Sequence, residues 1–524
     1  MFEISLPKQI FYRLVLGAGL VGGVCLCGGQ ALAQRADGFS RYTLTVEREL
    51  AEVLAADVSG DGLKDLVVVE VDRTRRVPRY FVSTAFQSAG GFPERSQSVG
   101  IPSQTMMVGV MRLKQGAALA LLVPGRVEIW PWEKDRFDEK TKKTLAVNSL
   151  FPVAAGELKT EIRWVYDLNG DGQDELLIPG FDEITVAAQD AHGKWMTQAR
   201  LPTHPTNWVM TLFNSRILAW DMSDVRLVDL DKNGWKDVLV FNDNLLLGYM
   251  MGPTPQGRAN PAIRLDLSPP KPFDRNQPLD PPLWLHDARD LNGDGLVDLV
   301  FTKTAPTDSA FKSNTRTLVY YGQAAPGDTP SLKFVQKPDQ VFLSEGFSLP
   351  LLNDNNADGL VDLVVVNVDI SFWNAVKGLI SRTMSAEASY FFMGKNKRYP
   401  TQPNAMETYS VKFSLGRYDH QPIVAFGDLN ADHLPDLMLS IDKDNMGIHW
   451  GRPEGTWSPQ HNRLLRDFLP ITPRRFEVVD LNNDGRDDIL ITYIREDLRK
   501  MPELTHAVTV LISRLDAKSA QQDQ

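Results

Sequence analysis

The residues best suited to chemistry stand in a short loop, 290–298, which reads DLNGDGLVD. Its oxygen-bearing side chains occupy positions 1, 3, 5 and 9 of the loop: Asp290, Asn292, Asp294 and Asp298. Gly295 at position 6 permits the positive φ that a tight turn needs. These side chains and the backbone carbonyl of Leu296 at position 7 form an all-oxygen donor set, which calcium binds at about 2.3–2.6 Å. The loop therefore predicts a calcium site.

The same nine-position pattern occurs seven times in the chain. Each copy has three acidic side chains among positions 1, 3, 5 and 9 and then continues into an apolar run. Asn, Asp and Gly also form ordinary turns without metal, so a single copy leaves that alternative open, whereas seven copies favour cation binding. The predicted calcium ligands are Asp57, Ser59, Asp61, Asp65, Asp167, Asn169, Asp171, Glu175, Asp229, Asp231, Asn233, Asp237, Asp290, Asn292, Asp294, Asp298, Asp354, Asn356, Asp358, Asp362, Asp428, Asn430, Asp432, Asp436, Asp480, Asn482, Asp484 and Asp488.

Some copies depart from the pattern. Ser59 is a weaker ligand at position 3, Asn233 is neutral at position 5, and Glu175 at position 9 is one carbon longer than aspartate. In the sixth copy His433 replaces the glycine of position 6, and Pro435 occupies position 8. We therefore expect that copy to bind calcium last or not at all.

The spacing of the loops indicates an internal repeat. Successive loops begin 110, 62, 61, 64, 74 and 52 residues apart. Residues 106–132, inside the longest interval, keep a strand-turn-strand pattern without a loop, and we interpret them as a degenerate unit. Numbering eight units along the chain gives loop 1 (57–65), loop 3 (167–175), loop 4 (229–237), loop 5 (290–298), loop 6 (354–362), loop 7 (428–436) and loop 8 (480–488), with none in unit 2.

Each unit contains an apolar strand, a loop, a second apolar strand and a further strand that often ends in aromatic residues and glycine. About four short strands per unit predict an all-β fold, a β-propeller of about eight four-stranded blades with calcium loops within the blades. Seven blades are the alternative, with 106–132 as an insertion. Residues 42–46 precede the first unit and the last unit is short, so we expect this strand to complete the last blade.

The N-terminal segment indicates export. Residues 1–33 contain two basic residues, a short apolar run and a small-residue cleavage signal, which is typical of a signal peptide, although a permanent membrane span is the alternative. The protein would then be periplasmic, at the outer surface or secreted. No later segment is long and apolar enough to span a membrane. We predict a single propeller over 34–515, a helical insertion at 371–388, and a disordered tail at 516–524.

Charge and motifs exclude several functions. The net charge of −10 argues against a nucleic-acid partner. The sequence has no nucleophile elbow, zinc helix or phosphate-binding loop, and its eight histidines are scattered. An EF-hand would need a ligand at position 12, which is Phe301 in loop 5. We therefore expect a protein that is not an enzyme.

The repeated loop, the apolar strand after it and the aromatic-glycine strand ends resemble the FG-GAP/VCBS repeat family, and the units are similar to the blades of the integrin alpha-chain propeller. The resemblance implies Ca²⁺ in up to seven loops. It also implies a non-catalytic scaffold for recognition, in adhesion or at the cell envelope, of an unknown protein or polysaccharide. Some members of the family are enzymes, so the alternative is a polysaccharide lyase or hydrolase built on the propeller.

Overall fold

The computed structural model describes residues 34–36, 38–88, 91–149, 158–160, 162–190, 192–204, 207–212, 215–220, 223–242, 244–253, 257–267, 283–306, 313–324, 332–368, 383–412, 423–493 and 502–514. The predicted signal peptide and the predicted tail at 516–524 lie outside these ranges. Within them, no helix has the length and apolar character needed to cross a membrane.

Eight antiparallel sheets of four main strands form the blades of a propeller. Blade 1 consists of Glu49–Ala56, Asp65–Asp72, Arg79–Ser88 and Gly91–Arg95, and blade 2 of Met107–Leu113, Gly116–Val123, Arg126–Glu133 and Lys143–Ala146. Blade 3 consists of Val165–Tyr166, Glu175–Pro179, Glu183–Gln189 and Trp195–Pro202, and blade 4 of Asp224–Val228, Asp237–Asn242, Leu245–Tyr249 and Ile263–Asp266. Blade 5 consists of Trp284–Arg289, Asp298–Pro306, Ser313–Tyr320 and Gln340–Glu345, and blade 6 of Phe347–Asn353, Asp362–Val368, Thr383–Phe391 and Ala405–Lys412. Blade 7 consists of Val424–Gly427, Asp436–Asp442, Asn445–His449 and Arg463–Arg466, and blade 8 of Phe476–Val479, Asp488–Ile491, Ala507–Ser513 and Phe39–Thr45.

Short elements supplement these blades. Additional edge strands are Val99–Ile101 in blade 1, Arg136–Phe137 in blade 2, Gly257–Arg258 in blade 3 and Gln34–Ala36 in blade 8. Separate hairpins pair Asn207–Leu212 with Ser215–Trp220 and Gln323–Ala324 with Leu332–Lys333, and 3-10 turns occupy Pro473–Arg475 and Pro502–His506.

The second strand of each blade is buried on both faces, which explains its unbroken apolar sequence. In blade 1, Leu66 packs in a cluster with Leu490 of blade 8, whereas Val67 packs in a cluster with Leu119 of blade 2. Residues alternate between the two faces of a strand, so a strand between two other blades must be apolar at every position. All four residues of 66–69 have no exposed surface.

The N-terminal strand closes the ring, as the sequence predicts. Phe39–Thr45 pairs antiparallel with Ala507–Ser513, with Tyr42 opposite Val510. The backbone N–H of Val46 also donates to the carbonyl of His506 at 2.8 Å. Pairing the first strand with the last part of the chain leaves no open junction between blades 8 and 1.

Residues 106–132 form blade 2, so eight blades are confirmed and the seven-blade alternative is wrong. The first two strands of this blade are joined by a turn at 114–115 in place of a nine-residue loop. Its strands supply as much core as those of the other blades, with Leu119, Leu121 and Leu122 fully buried. Strand packing therefore preserves the blade without its loop.

The predicted helix at 371–388 is wrong where the structure describes it. Its first part, 371–382, lies outside the described residues, but 383–388 belong to the strand Thr383–Phe391. Ala386, Ala388 and Tyr390 are buried, whereas Ser385 and Glu387, which alternate with them, are exposed. This alternation has the two-residue period of a strand, and pairing with strands on both sides overrides the helical pattern read from the sequence.

Candidate functional site

Loop 5 shows how the predicted ligands are arranged. Asp290 accepts hydrogen bonds from the N–H groups of Gly293 (2.7 Å) and Gly295 (2.7 Å). Asn292 accepts one from the N–H of Asp294 (2.9 Å), and Asp294 accepts one from the N–H of Leu296 (2.8 Å). The side chains at positions 1, 3 and 5 therefore form successive Asx turns, which hold their oxygens on the inside of one tight loop.

All seven loops adopt this turn. In every copy the position 1 aspartate accepts a hydrogen bond from the N–H of position 6, at 2.7 to 3.1 Å. The residue at position 5 likewise accepts from the N–H of position 7, at 2.7 to 3.0 Å. The seven loops therefore share one backbone turn, but among the described residues three acidic side chains bring oxygens within 4.8 Å of one another only in loop 4.

Positions 4 and 6 both require a positive φ. Position 6 is glycine except for His433, whose φ is 66° and whose N–H donates to Asp428 at 2.8 Å like the glycines of the other loops. The sequence pattern did not predict a positive φ at position 4. In four loops this position is a non-glycine residue with positive φ: Lys232, Ala357, Ala431 and Asn483. Such a conformation costs about 1–2 kcal/mol for an L-residue. The hydrogen bonds to position 1 offset this cost.

Position 9 has a second role that the sequence pattern did not reveal. Asp298 has no exposed surface, and its Oδ2 accepts the N–H of Leu291 at 3.0 Å. Its Oδ1 accepts the N–H of Gly322, at the end of the third strand, at 2.8 Å. The corresponding pair of bonds recurs at Asp65, Asp237, Asp362, Asp436 and Asp488. Each of these carboxylates joins its loop to the third strand of the same blade.

Burial changes the ionisation of these carboxylates. Burial, together with neighbouring loop carboxylates, raises the pKa to about 7 at Glu175, Asp237, Asp298, Asp436 and Asp488, and to about 6 at Asp362. Backbone N–H donors act in the opposite direction and favour the charged form. In the absence of a cation, several position 9 groups therefore hold protons near neutral pH.

We expect the chain in chelator to lose stability between about pH 6.5 and 8. The folded-state pKa of these six carboxyl groups lies above the unfolded value, so the stability that their protons add is present at low pH and is lost as pH rises through about 7. Burial lowers the pKa of His286 and of His449, so these groups make stability rise with pH, but mainly below about pH 6.5. Denaturant unfolding at the two pH values checks this. Unchanged or higher stability at the upper pH would contradict it.

The loops occupy one face of the propeller. Each joins the first strand of its blade to the second, and first strands contact one another between blades 1 and 2, 2 and 3, 4 and 5, and 7 and 8. The N–H of Lys236 in loop 4 donates to the carbonyl of Leu168 in loop 3 at 2.6 Å. Across the closure, the N–H of Lys64 in loop 1 donates to the carbonyl of Leu481 in loop 8 at 2.9 Å. The seven loops therefore form a series of acidic groups around this face that is interrupted at blade 2.

In loop 4, acidic oxygens are close enough to share one ion. One carboxylate oxygen each of Asp229, Asp231 and Asp237 lies within 4.8 Å of the others. Loop 3 differs, because Arg112 of blade 2 lies beside it. The Arg112 guanidinium approaches Asp174 at 3.2 Å and the position 1 ligand Asp167 at 3.6 Å. A positive side chain from the blade without a loop thus lies next to the acidic groups of loop 3.

Comparison with known proteins identifies one repeat. Residues 428–491, from loop 7 to the second strand of blade 8, match the FG-GAP-like repeat family. None of the curated proteins compared with the chain matches it significantly. A solved structure of an Agrocybe aegerita lectin, described for its specific recognition of non-reducing terminal N-acetylglucosamine, matches with a TM-score of 0.38 and 14% identity over 75% of this chain and 86% of that chain.

Proposed function

We propose that this eight-bladed propeller, which contains an FG-GAP-like repeat at 428–491, is an exported, non-catalytic scaffold that binds calcium in its loops and recognises a protein or a carbohydrate. The observation that carries the proposal is the common geometry of seven acidic loops on one face of a closed ring. Repetition of one acidic turn in separate blades supports a shared role in holding the blades, because a single active site needs only one such turn.

The donor chemistry fits a hard divalent cation. Every predicted ligand offers oxygen, and each loop has at least two acidic groups among positions 1, 3 and 5. The side chains at positions 1, 3, 5 and 9 and the carbonyl at position 7 would hold the ion, as in other loops of alternating oxygen donors. A bound ion would supply positive charge that offsets the repulsion among the loop carboxylates. We propose Ca²⁺, in up to seven loops.

Recognition is the use that best fits a closed ring of blades. Closure of the ring holds the loops between blades at fixed positions, and loops on rigid scaffolds are common binding elements. Export, inferred from residues 1–33, would place these loops where calcium is available and where envelope proteins and polysaccharides are the available partners. The loop carboxylates accept the hydrogen bonds of the turns, which supports a structural role for them over a role as acid and base groups.

The polysaccharide-acting alternative would need carboxyl groups outside the loops. Glu52, in the first strand of blade 1, is the clearest example, because burial raises its pKa. Its carboxylate lies 3.2 Å from the guanidinium of Arg475 in blade 8. Burial also raises the pKa of Glu477 near Arg475. Substitution of Glu52, the clearest candidate for an acid or base group, therefore distinguishes a scaffold from an enzyme.

The test is binding and turnover by the mature chain, in calcium and in chelator, against an array of envelope polysaccharides and proteins. We expect retention of a defined ligand in calcium, with no shortening of any polysaccharide. The variant Glu52→Gln should bind as the wild type does, and so should Glu47→Gln, whose side chain is 76% exposed. Polysaccharide cleavage that is lost in Glu52→Gln and kept in Glu47→Gln would overturn the scaffold proposal in favour of the enzyme.

A further inference from the structure

Position 8, which supplies no predicted ligand, connects five of the seven loops, loops 1, 3, 4, 6 and 8, to the blade before them. The N–H of Val361 in loop 6 donates to the carbonyl of Leu291 in loop 5 at 2.9 Å. Among the described residues, the N–H groups of Lys64, Asp174, Lys236 and Asp487, all at position 8, make corresponding bonds to the preceding blade. For Lys64, Lys236 and Val361 the acceptor is the carbonyl at position 2 of the preceding loop. Asp487 donates to the carbonyl of Asp428, at position 1 of loop 7, and Asp174 donates to the carbonyl of Arg112 in blade 2.

This bond lies next to the predicted ligands on both sides. Leu291 uses its N–H to bind Asp298, the position 9 carboxylate of loop 5, at 3.0 Å, and uses its carbonyl to bind loop 6. Val361 directly precedes Asp362, the position 9 carboxylate of loop 6. A displacement of position 2 in one loop therefore moves the acceptor that holds position 8 of the next.

Side chains add to the connection between loops 5 and 6. A Cβ at Gly293 of loop 5, where φ is 68°, would lie 2.9 Å from Cδ2 of Leu360 in loop 6, so Leu360 packs directly on this glycine. Lys397, between the third and fourth strands of blade 6, donates to the carbonyl of Asn292 at 2.5 Å. Loop 5 is thus in contact with blade 6 at positions 2, 3 and 4.

We propose that cation binding in one loop favours binding in the loop of the next blade through the position 8 hydrogen bond. This inference rests on the calcium binding proposed above. On this proposal, repulsion among the carboxylates of an empty loop loosens its position 2, so the next loop orders its own position 8 without a fixed acceptor. Filling the first loop fixes that acceptor, and the second binding event then loses less conformational entropy. The coupling is reciprocal, because it is a free energy shared by the two sites.

One junction between consecutive loops lacks the donor. Position 8 of loop 7 is Pro435, which has no backbone N–H, so it makes no such bond to loop 6. Loops 6 and 7 otherwise have the same residue, leucine, at position 7 and share the same turn. The structure therefore contains a matched pair of junctions: loop 5 to loop 6 with the bond, and loop 6 to loop 7 without it.

Hydrogen exchange measured by mass spectrometry tests the coupling in the full chain, because it reports each loop separately. The measurement is the calcium concentration at which the amides of a given loop become half-protected. Disabling loop 5 with Asp294→Ala should raise that concentration for loop 6 by about fivefold, the equivalent of one net hydrogen bond of about 1 kcal/mol. Disabling loop 6 with Asp358→Ala should leave loop 7 unchanged.

Substitutions at position 8 provide the control. In the variant Val361→Pro, Asp294→Ala should affect loop 6 much less, because only the contacts of Leu360 and Lys397 with loop 5 remain. The native Pro435 shows that this position accepts proline in the same turn. In Pro435→Val, loop 7 should become sensitive to Asp358→Ala. If Val361→Pro fails to fold, the comparison of the two native junctions still decides the question.

The outcomes separate the coupling from calcium binding itself. If calcium protects the loops but Asp294→Ala does not change loop 6, or if Asp358→Ala affects loop 7 as strongly, the coupling is overturned and calcium binding stands. If calcium protects no loop, the calcium proposal is overturned and the coupling with it.

Discussion

The full chain should unfold at a much higher temperature in calcium than in excess chelator. Each loop holds three acidic side chains among its ligand positions, so an empty loop opposes folding through charge repulsion. A ligand that binds only the folded state stabilises it by about 2.7 kcal/mol per site when its free concentration is about 100 times the dissociation constant. With several loops occupied, calcium should be one of the largest contributors to the free energy of unfolding.

Scanning calorimetry of the mature chain in calcium, in magnesium and in chelator measures this effect. Magnesium is the matched control, because it has the same charge but prefers a smaller octahedral site and gives up its water reluctantly. We expect a smaller stabilisation by magnesium than by calcium. Identical melting curves in calcium and chelator would refute the proposed role of the loops.

Single substitutions should also rank the loops. Asp294→Ala in loop 5 should reduce calcium-dependent stabilisation more than Asp432→Ala in loop 7. The backbone turn of loop 7 matches the others, so the difference arises from its own residues, Pro435 at position 8 and His433 at position 6, whose Nδ1 lies 3.8 Å from Asp428. Equal losses of calcium-dependent stabilisation from the two substitutions would contradict this ranking.

Removal of the position 9 carboxylate should destabilise the chain even without calcium. Asp298 is fully buried and satisfies the N–H groups of Leu291 and Gly322. Leaving a buried donor unsatisfied costs about 1–3 kcal/mol, so Asp298→Ala should lower the free energy of unfolding in chelator by about 2 to 6 kcal/mol. It should do so by separating the loop from the end of the third strand.

Asp294→Ala is the control for this second prediction. Asp294 lies in the same loop and makes its turn bond to Leu296 at an exposed site, so its loss leaves no buried donor. In chelator, urea unfolding should show a several-fold smaller effect for Asp294→Ala than for Asp298→Ala. If the two variants lose the same free energy in chelator and differ only in calcium, position 9 acts as a ligand alone.

The conformation of each loop follows from the sequence because its interactions are local. The turn hydrogen bonds join residues two to five positions apart, as from Asp290 to Gly295, and depend only on the side-chain types at fixed spacing. The unbroken apolar strands after the loops likewise indicate burial on both faces. Eight blades and an N-terminal closing strand, predicted at 42–46 and observed at Phe39–Thr45, follow from counting these units and finding one strand without a partner.

The helical interpretation of 371–388 failed at 383–388 because its pattern was local, whereas the structure of Thr383–Phe391 depends on partners distant in sequence. This strand pairs with Asp362–Val368 on one side and Ala405–Lys412 on the other. A segment with apolar residues at mixed spacing supports either conformation until its neighbours are known. Sheet pairing then determines which residues face the adjacent blades.

The amino-acid sequence by itself determined the loops, their predicted ligands and the repeat that forms a propeller. Only the tertiary structure decided how these loops are connected to the rest of the molecule. The bond from Asp298 to Gly322 spans 24 residues, and the bond from Val361 to Leu291 crosses between blades. The approach of Arg112 to loop 3 likewise depends on which blades are neighbours. Such contacts involve backbone groups that every residue carries, or partners far along the chain, so no spacing of residue types reveals them.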